Sequence, residues 1–323
     1  MQSTGLFRYL PALVRGAVRS LGGLLLGRGW VCGVVGLLSG VLVVHGGGGN
    51  RVIVVGVDGL SPDGVQRAET PVMDRMMAAG VWTLRGRGVM PTSSSPNWAS
   101  MIMGAGPEQH GITSNDWETN KVEVTPTVIG PGGVFPTIFD VVIGGSGGSA
   151  VTACIYDWGG FGRLLGATVP TVFEHVSGSG ATARRAVEVI RERKPDLLFV
   201  HFDEVDHAGH EYGHGTGEYF RSVEHVDGLV GQLLGAVEDA GLGGSTYVLV
   251  TSDHGGVGKG HGGATTAELE IPWILVGPGV RRGWELEGAL NTYDTAATVV
   301  KLLGYSPDPA WIGRPVVEAL TER

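Results

Sequence analysis

Short apolar runs alternate with amphipathic segments along most of this 323-residue chain. Runs such as RVIVVGV, LLFVHF and TYVLVT are brief, rich in β-branched and aromatic residues and bounded by turn residues, which is typical of strands buried on both faces. Other segments carry apolar residues close to a 3.6-residue period. This alternation predicts an α/β fold with a mostly parallel central sheet and helices on both faces.

The pattern predicts both kinds of element in alternation, with one stretch that lacks regular structure. The predicted strands are RVIVVGVDG, WTLRGRGVM, AVTACIYD, DLLFVHF, TYVLVTSD and IPWILVGPG. The predicted helices are TPVMDRMMAAG, PNWASMIMGAG, PTIFDVVIGG, ATARRAVEVIRER, GEYFRSVEHVDGLVGQLLGAVEDAG and YDTAATVVKLLG. Residues 113–135 follow neither period, and we expect them to form a small flap over the functional site.

The first fifty residues differ from the rest because they carry four arginines and no acidic residue. An apolar stretch of 15 residues, Trp30 to Val44, follows the arginines, as in an export signal. It is shorter than the roughly 20 residues of a membrane span, and no small-x-small cleavage site follows it. We expect residues 1–45 to be a cleaved signal peptide or an uncleaved anchor, with a mis-assigned start as a third alternative. Residues 46–323 are then a single domain outside the cytoplasm, periplasmic or secreted, and held at the membrane if the signal is not cleaved.

The charge balance of the body is strongly acidic. Removing the four leader arginines from 23 basic residues leaves 19 against 32 acidic residues, a net charge of −13. This balance argues against a nucleic-acid-binding surface, which needs basic patches. Cys154 is the only cysteine beyond the leader, so the body has no internal disulfide and no thiolate metal cluster. Cys154 itself is expected to be a buried strand residue.

Acids and histidines follow three of the predicted strands directly. Asp58 ends the first run, Asp206 comes four residues after LLFVHF, and Asp253 follows TYVLVTS. Ligands of open α/β sheets bind at the carboxyl ends of the strands, so these side chains are expected to share one site. A single strand-end aspartate such as Asp58 is more often a turn or helix-cap residue, and only the three clusters together favour a site.

A run of hydroxyl residues precedes the helix predicted over PNWASMIMGAG. A helix N-terminus presents unpaired backbone N–H groups that suit a phosphate oxygen, and a nearby divalent ion would activate a serine as a nucleophile. Ser94 is the candidate within this run, with Ser93 and Ser95 as alternatives. Simple capping of the helix by the hydroxyls is the competing interpretation.

Two further segments concentrate metal-ligand chemistry. HFDEVDHAGHEYGH carries eight acid or imidazole side chains in fourteen positions, and we expect a loop to fold Asp206 and His210 onto one ion. The other histidines of this segment are expected behind the ligands or in solvent. In TSDHGG and GKGHGG, glycines surround the Asp253–His254 pair and His261 and permit the bend that would bring them to a shared site. Solvated polar loops are the alternative for both segments.

Together these motifs resemble the alkaline phosphatase superfamily, most closely its type I phosphodiesterase/nucleotide pyrophosphatase branch, over residues 51–305. Ser94 falls at the fourth position of a P-T-x-[TS]-x-P-N signature. The D-x-x-G-H signature matches Asp206 and His210, and the D-H-G pair matches Asp253 and His254. The resemblance implies an alkaline-phosphatase-like fold and hydrolysis of a phosphate ester by two displacements through a phosphoserine.

The resemblance also implies roles for individual residues. It implies one divalent ion held by Asp206, His210 and His261, and a second held by Asp58, Asp253, His254 and the Ser94 oxygen. Asn97 would hold a non-bridging phosphoryl oxygen, together with backbone N–H groups near Ser95. Histidine and aspartate ligands favour zinc, with manganese as the alternative. The leaving-group pocket is predicted from the aromatic side chains of Trp98, Trp117, Tyr156 and Trp158, each of which could equally be core packing.

Several features around these motifs bear on the substrate. Trp98 stands where many phosphodiesterases have histidine, and only six residues separate His254 from His261, where nucleotide pyrophosphatases carry a long insertion. The arginine of the sulfatase motif is missing after Ser94, which disfavours sulfate esters. No basic cluster follows the nucleophile, so a phosphodiester is favoured over a doubly charged monoester.

The expected substrate is therefore a small-molecule phosphate ester, and the oligomeric state is left open. A phosphomonoesterase, a phosphonate hydrolase or a mutase on the same scaffold is an alternative, because a fold does not fix its reaction. A non-catalytic metal-binding relative is another alternative, although none of the implied ligands is missing from the sequence.

Overall fold

The computed structural model describes residues 49–321. The expected signal peptide or anchor, residues 1–45, lies outside the described residues. Between residues 49 and 321, no helix has the length and apolar character that crossing a membrane would need.

Eight strands form one sheet in the order β4-β3-β5-β1-β6-β7-β2-β8. The strands are β1 Arg51–Val57, β2 Val81–Arg87, β3 Thr152–Tyr156, β4 Val172–His175, β5 Leu197–Phe202, β6 Thr246–Thr251, β7 Glu270–Val276 and β8 Trp284–Glu285. Pairing is parallel from β4 through β6 and between β2 and β8. The prediction of a mostly parallel sheet is confirmed, and all six predicted strands are present.

β7 runs antiparallel to both of its neighbours, β6 and β2, which the sequence pattern did not reveal. A buried strand is an apolar run in either direction, so its sequence does not encode the direction. The antiparallel return has a structural consequence. Residues 252–269, which connect β6 to β7, begin and end at the same edge of the sheet.

Helices cover both faces of the sheet, as predicted. They are α1 Pro62–Arg67, α2 Pro71–Ala79, α3 Ser94–Met103, α4 Pro107–His110, α5 Ile138–Gly145, α6 Gly159–Gly162, α7 Ser179–Arg193, α8 Glu204–Tyr212, α9 Gly217–Asp239, α10 Thr266–Leu269 and α11 Asp294–Leu302. Short 3₁₀ turns occupy Arg163–Leu165, Gly243–Ser245 and Val317–Ala319.

Two hydrophobic cores lie on opposite faces of the sheet. Alternate residues of β1 point to opposite faces, so Val52 and Val54 join the core beneath α3, α5 and α11. Ile53 and Val55 join the other core, with residues of α1, α2, α7 and α9. Burial on both faces explains why β1, β5 and β6 are continuous apolar runs rather than alternating ones.

Residues 113–135, the predicted flap, contain no helix or strand. An isolated bridge joins Glu118 to Lys121, and the Gly130 N–H donates to the Val134 carbonyl at 2.6 Å. The Ala167 N–H holds the segment to the rest of the domain by donating to the Gly132 carbonyl at 2.8 Å. The flap is thus a set of turns that lies against the connection between β3 and β4.

Candidate metal centre and nucleophile

The three central strands end beside one another. β5, β1 and β6 are adjacent and parallel, so the residues that follow them meet at one edge of the sheet. Asp58 directly follows β1, and Asp253 and His254 lie two and three residues beyond β6. α8 begins two residues after β5 and carries Asp206 and His210. α3 brings Ser94 to the same edge.

One group of side chains converges on the Nε2 atom of His254. Asp58 Oδ1 lies 3.3 Å from this nitrogen, and Asp253 Oδ2 also lies 3.3 Å from it. The Ser94 hydroxyl oxygen lies 3.3 Å from the same atom. Asp58, Asp253 and His254 are fully buried and are arranged so that they could hold one cation.

A second group forms around Asp206. The Nε2 atom of His210 lies 3.3 Å from Asp206 Oδ2, and that of His261 lies 3.8 Å from Asp206 Oδ1. The two imidazole Nε2 atoms are 3.1 Å apart. The predicted loop was wrong here, because Asp206 and His210 lie one turn apart on α8 and reach the site from the same helix face.

Backbone carbonyls fix the tautomers of the three imidazoles. A carbonyl oxygen only accepts, so each contact with a ring Nδ1 is a donation from the imidazole. The Nδ1–H groups of His254, His210 and His261 donate to the carbonyls of Gly255 (2.8 Å), Lys259 (2.9 Å) and Thr92 (2.8 Å). In the neutral rings the Nε2 lone pairs therefore face the site, which is the orientation of metal-ligating histidines.

Each of the three carboxylates of the site has one oxygen that lacks a hydrogen bond. Asp58 Oδ1, Asp206 Oδ1 and Asp253 Oδ2 are buried without a hydrogen-bond partner. Burial, followed by the charges of Asp253 and Asp206, raises the pKa of Asp58, and burial and Asp206 raise the pKa of Asp253. Burial also raises the pKa of Asp206, but the His210, His254 and His261 imidazoles outweigh it and hold that pKa at about 2.

These observations fit two divalent cations. Within residues 49–321 no lysine or arginine pairs with the three site carboxylates, whose ionic partners are all histidines. Unpaired buried carboxylates are costly unless cations neutralise them. Aspartate oxygens and imidazole nitrogens suit zinc and similar ions. The donor set, the free oxygens and the fixed tautomers therefore fit cation binding, and Asp206, His254 and His261 form a second candidate group beside Asp58, Asp253 and His254.

Ser94 is the first residue of α3 and is nearly buried. Neither it nor Ser93 caps the helix through its side chain, so the Ser94 hydroxyl remains free to face His254. Asn97, by contrast, does not reach the site. Its carboxamide oxygen accepts the Val89 N–H at 2.6 Å, and its nitrogen contacts three carbonyl oxygens of the loop before α3, those of Val89, Pro91 and Ser93.

The expectation that Asn97 binds a phosphoryl oxygen is therefore wrong for this structure, because its carboxamide is already engaged by the loop. Asn115, in the flap, is the asparagine that shares a cavity with Ser94. It lines a cavity of about 240 Å³ together with Ser94, Trp158, Asp203, Asp206, His207, His210 and His261. The Asn115 Oδ1 accepts the Ser95 N–H at 2.7 Å, so this backbone donor is also occupied. No local motif marks Asn115, since its place depends on how the flap folds back.

Arg163 is a second residue that the sequence did not single out. Its guanidinium donates to the Asn115 carbonyl and to Glu118 at 2.9 Å, and it approaches the Ser95 hydroxyl at 3.4 Å. It also lies over the Trp158 ring, 5.8 Å from the centroid. Arg163 thus ties the flap to α3 at the edge of the cavity.

Replacing Arg163 with methionine is expected to lower kcat by about 10-fold or more, because Asn115 would lose its tether and small displacements in an active site are costly. Ion content should not change. Steady-state kinetics and metal analysis of the purified variant measure both quantities. Glu118→Gln is the matched control, since it removes only an exposed ion pair and should leave kcat within about 2-fold. A wild-type kcat in Arg163→Met would show that Arg163 is not needed to hold Asn115 in position.

Of the four aromatic residues predicted for the leaving-group pocket, only Trp158 lines the cavity. Trp98 has no exposed surface and packs in the core, so its assignment to the pocket is wrong. Trp117 is buried against the same core. Tyr156 stacks on His175, with ring centroids 5.5 Å apart, and does not line the cavity. The sequence does not show the directions in which these rings point.

The remaining histidines of HFDEVDHAGHEYGH have different environments. His207 is exposed and lies 3.6 Å from Glu211. His214 is buried, with its Nε2 atom 3.9 Å from Asp206 Oδ1. His201 is fully buried in β5, and its Nε2 atom lies 3.1 Å from Asp58 Oδ2. The structure thus brings His201 and His214 behind the ligands and leaves His207 in solvent.

Comparison with known protein families gives a match over most of the described chain. The model of the type I phosphodiesterase/nucleotide pyrophosphatase family matches residues 52–130 and 160–259. Human ectonucleotide pyrophosphatase/phosphodiesterase family member 1 is 24% identical over 193 residues, which cover 57% of this chain and 21% of that protein. Venom phosphodiesterase 2 of Crotalus adamanteus is 24% identical over 198 residues, with 57% of this chain and 24% of that protein covered. The chain thus spans less than a quarter of these relatives.

Solved structures share the fold. Murine ectonucleotide pyrophosphatase/phosphodiesterase 5 superposes with a TM-score of 0.70 at 17% identity, over 84% of this chain and 100% of that one. A mutant of the alkaline phosphatase PafA gives a TM-score of 0.70 at 12% identity, over 84% and 99% of the two chains. The likeness confirms the expected alkaline-phosphatase-like architecture.

Proposed function

The chain belongs to the type I phosphodiesterase/nucleotide pyrophosphatase family, and from this premise we propose that it hydrolyses phosphate esters, with phosphodiesters preferred, through a phosphoserine formed on Ser94. The observation that carries the proposal is the convergence of the Ser94 hydroxyl, Asp58 Oδ1 and Asp253 Oδ2 on His254 Nε2, each at 3.3 Å. A hydroxyl beside a set of unpaired ligand atoms is the arrangement of an ion-activated nucleophile.

Two ions would be held by separate residue sets. Asp206, His210 and His261 would hold one, and Asp58, Asp253, His254 and the Ser94 oxygen would hold the other. When bound, the ions supply positive charge to the attacking and leaving oxygens of an in-line displacement. Zinc is proposed over manganese because three imidazoles and three carboxylates form the donor set.

In the first displacement the Ser94 Oγ attacks phosphorus and its proton leaves to solvent. The bond from phosphorus to the leaving oxygen breaks, and the alcohol departs after protonation. In the second displacement water attacks the phosphorus bound to Ser94, which restores the Ser94 hydroxyl and releases a phosphate monoester from a diester substrate. Asn115 supports both displacements. Its oxygen is held by the Ser95 N–H, so its amide nitrogen is free to donate to a non-bridging oxygen in the cavity.

The charge of the cavity favours a singly charged substrate. No lysine or arginine appears among the described residues that line it. Arg163 lies nearby, but its charge is paired with Glu118 at 2.9 Å. A phosphodiester carries one negative charge and a monoester up to two, so a monoester would depend more heavily on the ions. This supports a diesterase over a monoesterase.

The test is metal analysis of the purified protein with kinetics on bis(p-nitrophenyl) phosphate and p-nitrophenyl phosphate. Two ions per chain and a higher kcat/KM for the diester are expected. A higher kcat/KM for the monoester would make the protein a phosphomonoesterase. Fewer than one ion per chain, without turnover of either ester, would show that the proposed centre does not form. Acid quenching during turnover should trap a p-nitrophenyl phosphoryl group on Ser94 with the diester and a phosphoryl group with the monoester, which a binding protein would not do.

We also propose that the enzyme acts outside the cytoplasm. The basic and apolar pattern of residues 1–45 supports export. Several relatives are named as ectonucleotide pyrophosphatases or venom phosphodiesterases, names that refer to proteins outside the cell. Fractionation of the cells that produce the full chain, followed by mass determination of its N-terminus, would establish both export and signal cleavage.

A further inference from the structure

We propose that Trp98 and His201 are positioning residues that hold one oxygen of Asp58, so that its other oxygen faces the ion shared with Asp253 and His254. The proposal rests on the proposed function, because it assumes an ion at that position. Nothing in the signature motifs assigns this role. The sequence pattern indicates Trp98 as a candidate for the leaving-group pocket and places His201 behind the ligands or in solvent, without a specific contact.

The two contacts meet at a single atom. The Trp98 indole N–H donates to Asp58 Oδ2 at 3.0 Å, and His201 Nε2 lies 3.1 Å from the same oxygen. An ionised carboxylate only accepts, so the imidazole donates from Nε2. The other oxygen, Oδ1, is buried without a hydrogen-bond partner and lies 3.3 Å from His254 Nε2. Two donors on Oδ2 and none on Oδ1 define which oxygen is left for an ion.

Packing holds both donors in place. Trp98 and His201 are fully buried, and their rings meet edge to face with centroids 4.9 Å apart. Phe199 also meets the Trp98 ring edge to face, with centroids 5.9 Å apart. Gly56 in β1 makes room for the indole, because a Cβ there would lie 2.6 Å from the ring. The Trp98 ring in α3 therefore packs closely against Gly56 in β1, two residues before Asp58.

A different use of the same residues would be a further cation between Asp58, His201 and Asp203, whose ligand atoms also lie close together. The Trp98 contact argues against it. The indole N–H is a donor that cannot be deprotonated at ordinary pH, and it already occupies the Asp58 oxygen that such an ion would share with His201. Trp98 and His201 are therefore arranged to hydrogen-bond a metal ligand and orient it, without binding the ion themselves. Residues of this kind typically contribute about 10–100-fold to metal affinity.

The test compares ion affinity in three variants with the wild type. Trp98→Phe keeps an aromatic ring and removes the N–H. His201→Met fills a similar space without a donor, whereas His201→Gln places an amide N–H close to the original Nε2. Zinc affinity is measured by competition with a chromophoric chelator. The visible spectrum of the cobalt-substituted protein reports ligand geometry, and the melting temperature of the chelated protein reports folding.

Trp98→Phe and His201→Met are expected to bind one of the two ions about 10–100-fold more weakly and to change the cobalt spectrum. Both should regain two ions at saturating metal, and His201→Gln should stay within about 3-fold of the wild type. Unchanged affinity in His201→Met would overturn the proposal, as would loss of a third ion in that variant. The two His201 variants decide the question even if Trp98→Phe does not fold. A wild type that binds no ions would instead overturn the proposed function itself.

Discussion

Replacing Ser94 with alanine is expected to reduce kcat by at least about 10⁴-fold while the protein keeps its ions, because the nucleophile is lost and most ligands remain. Asp58, Asp253 and His254 still surround one position, and the second ligand set does not involve Ser94. Single-turnover kinetics on bis(p-nitrophenyl) phosphate, with zinc analysis of the same sample, measure both quantities. The p-nitrophenyl phosphoryl group trapped on the wild-type protein by acid quenching should be missing from the variant.

Two neighbouring serines provide matched controls for that experiment. Ser93 precedes α3 without capping it, and the Ser95 hydroxyl contacts Arg163 rather than the ligands. Ser93→Ala and Ser95→Ala should therefore keep kcat within about 10-fold. Normal turnover in Ser94→Ala, with loss in either control, would move the nucleophile to that residue. Normal turnover in all three variants would rule out a covalent route through this run.

Removing the ions with a chelator is expected to abolish turnover and to lower the melting temperature by at least about 5 °C at pH 8, since ions that bind only the folded state stabilise it. The drop in melting temperature on removal of the ions should grow as pH rises from 5 to 9. Burial and neighbouring carboxylates raise the pKa values of Asp58 and Asp253. Asp206 likewise raises the pKa of His210 to about 9, the side-chain hydrogen bond between them being the main cause.

The pKa shifts of Asp58, Asp253 and His210 all change the stability of the chelated protein with pH in the same direction. A folded-state pKa above the unfolded value gives stability that is complete below the unfolded pKa, about 4 for aspartate and 6.5 for histidine. That stability is lost as pH rises through the folded pKa, about 9 for His210. The chelated protein should therefore weaken toward alkaline pH relative to the zinc-loaded protein. Calorimetry of both forms at pH 5, 7 and 9 measures the difference.

Asp253→Asn tests the cause of that pH dependence. The substitution removes one buried carboxylate of the centre, so the chelated variant should be more stable at pH 9 than the chelated wild type, although it binds zinc more weakly. A difference between loaded and chelated wild-type protein that narrows as pH rises would contradict the electrostatic explanation.

Much of the fold was predictable because its central strands are buried on both faces. β1, β5 and β6 are continuous apolar runs, and the helices between them have clear periodicity. β4 was not predicted, because it has four residues with Glu174 among them. β8 has two residues and exists only through pairing with β2. Both depend on a neighbour at the sheet edge rather than on their own sequence.

α8 was mistaken for a loop because it has only nine residues, most of them acids, histidines and glycine, although Val205, Ala208 and Tyr212 follow a helical spacing. Within the site, residues that follow central strands were predictable, since strand ends meet at one edge whatever the details of packing. Asn115 and Arg163 were not, because they reach Ser95 from segments 20 and 68 residues away. Asn97 lies within the signature, but a motif does not tell whether a side chain faces the site or its own loop.

The flap carries a consequence for how this scaffold diversifies. All seven proposed ligand side chains lie outside residues 113–135, and the flap contributes Asn115 to the cavity wall. Apart from Asn115, a segment held by Arg163 and a few backbone hydrogen bonds can change in length and composition without altering the proposed ion ligands. The flap residues around Asn115 can therefore vary with the substrate while the ligand set is kept. A protein built this way can acquire a new substrate by changes in one surface segment, provided that Asn115 is retained.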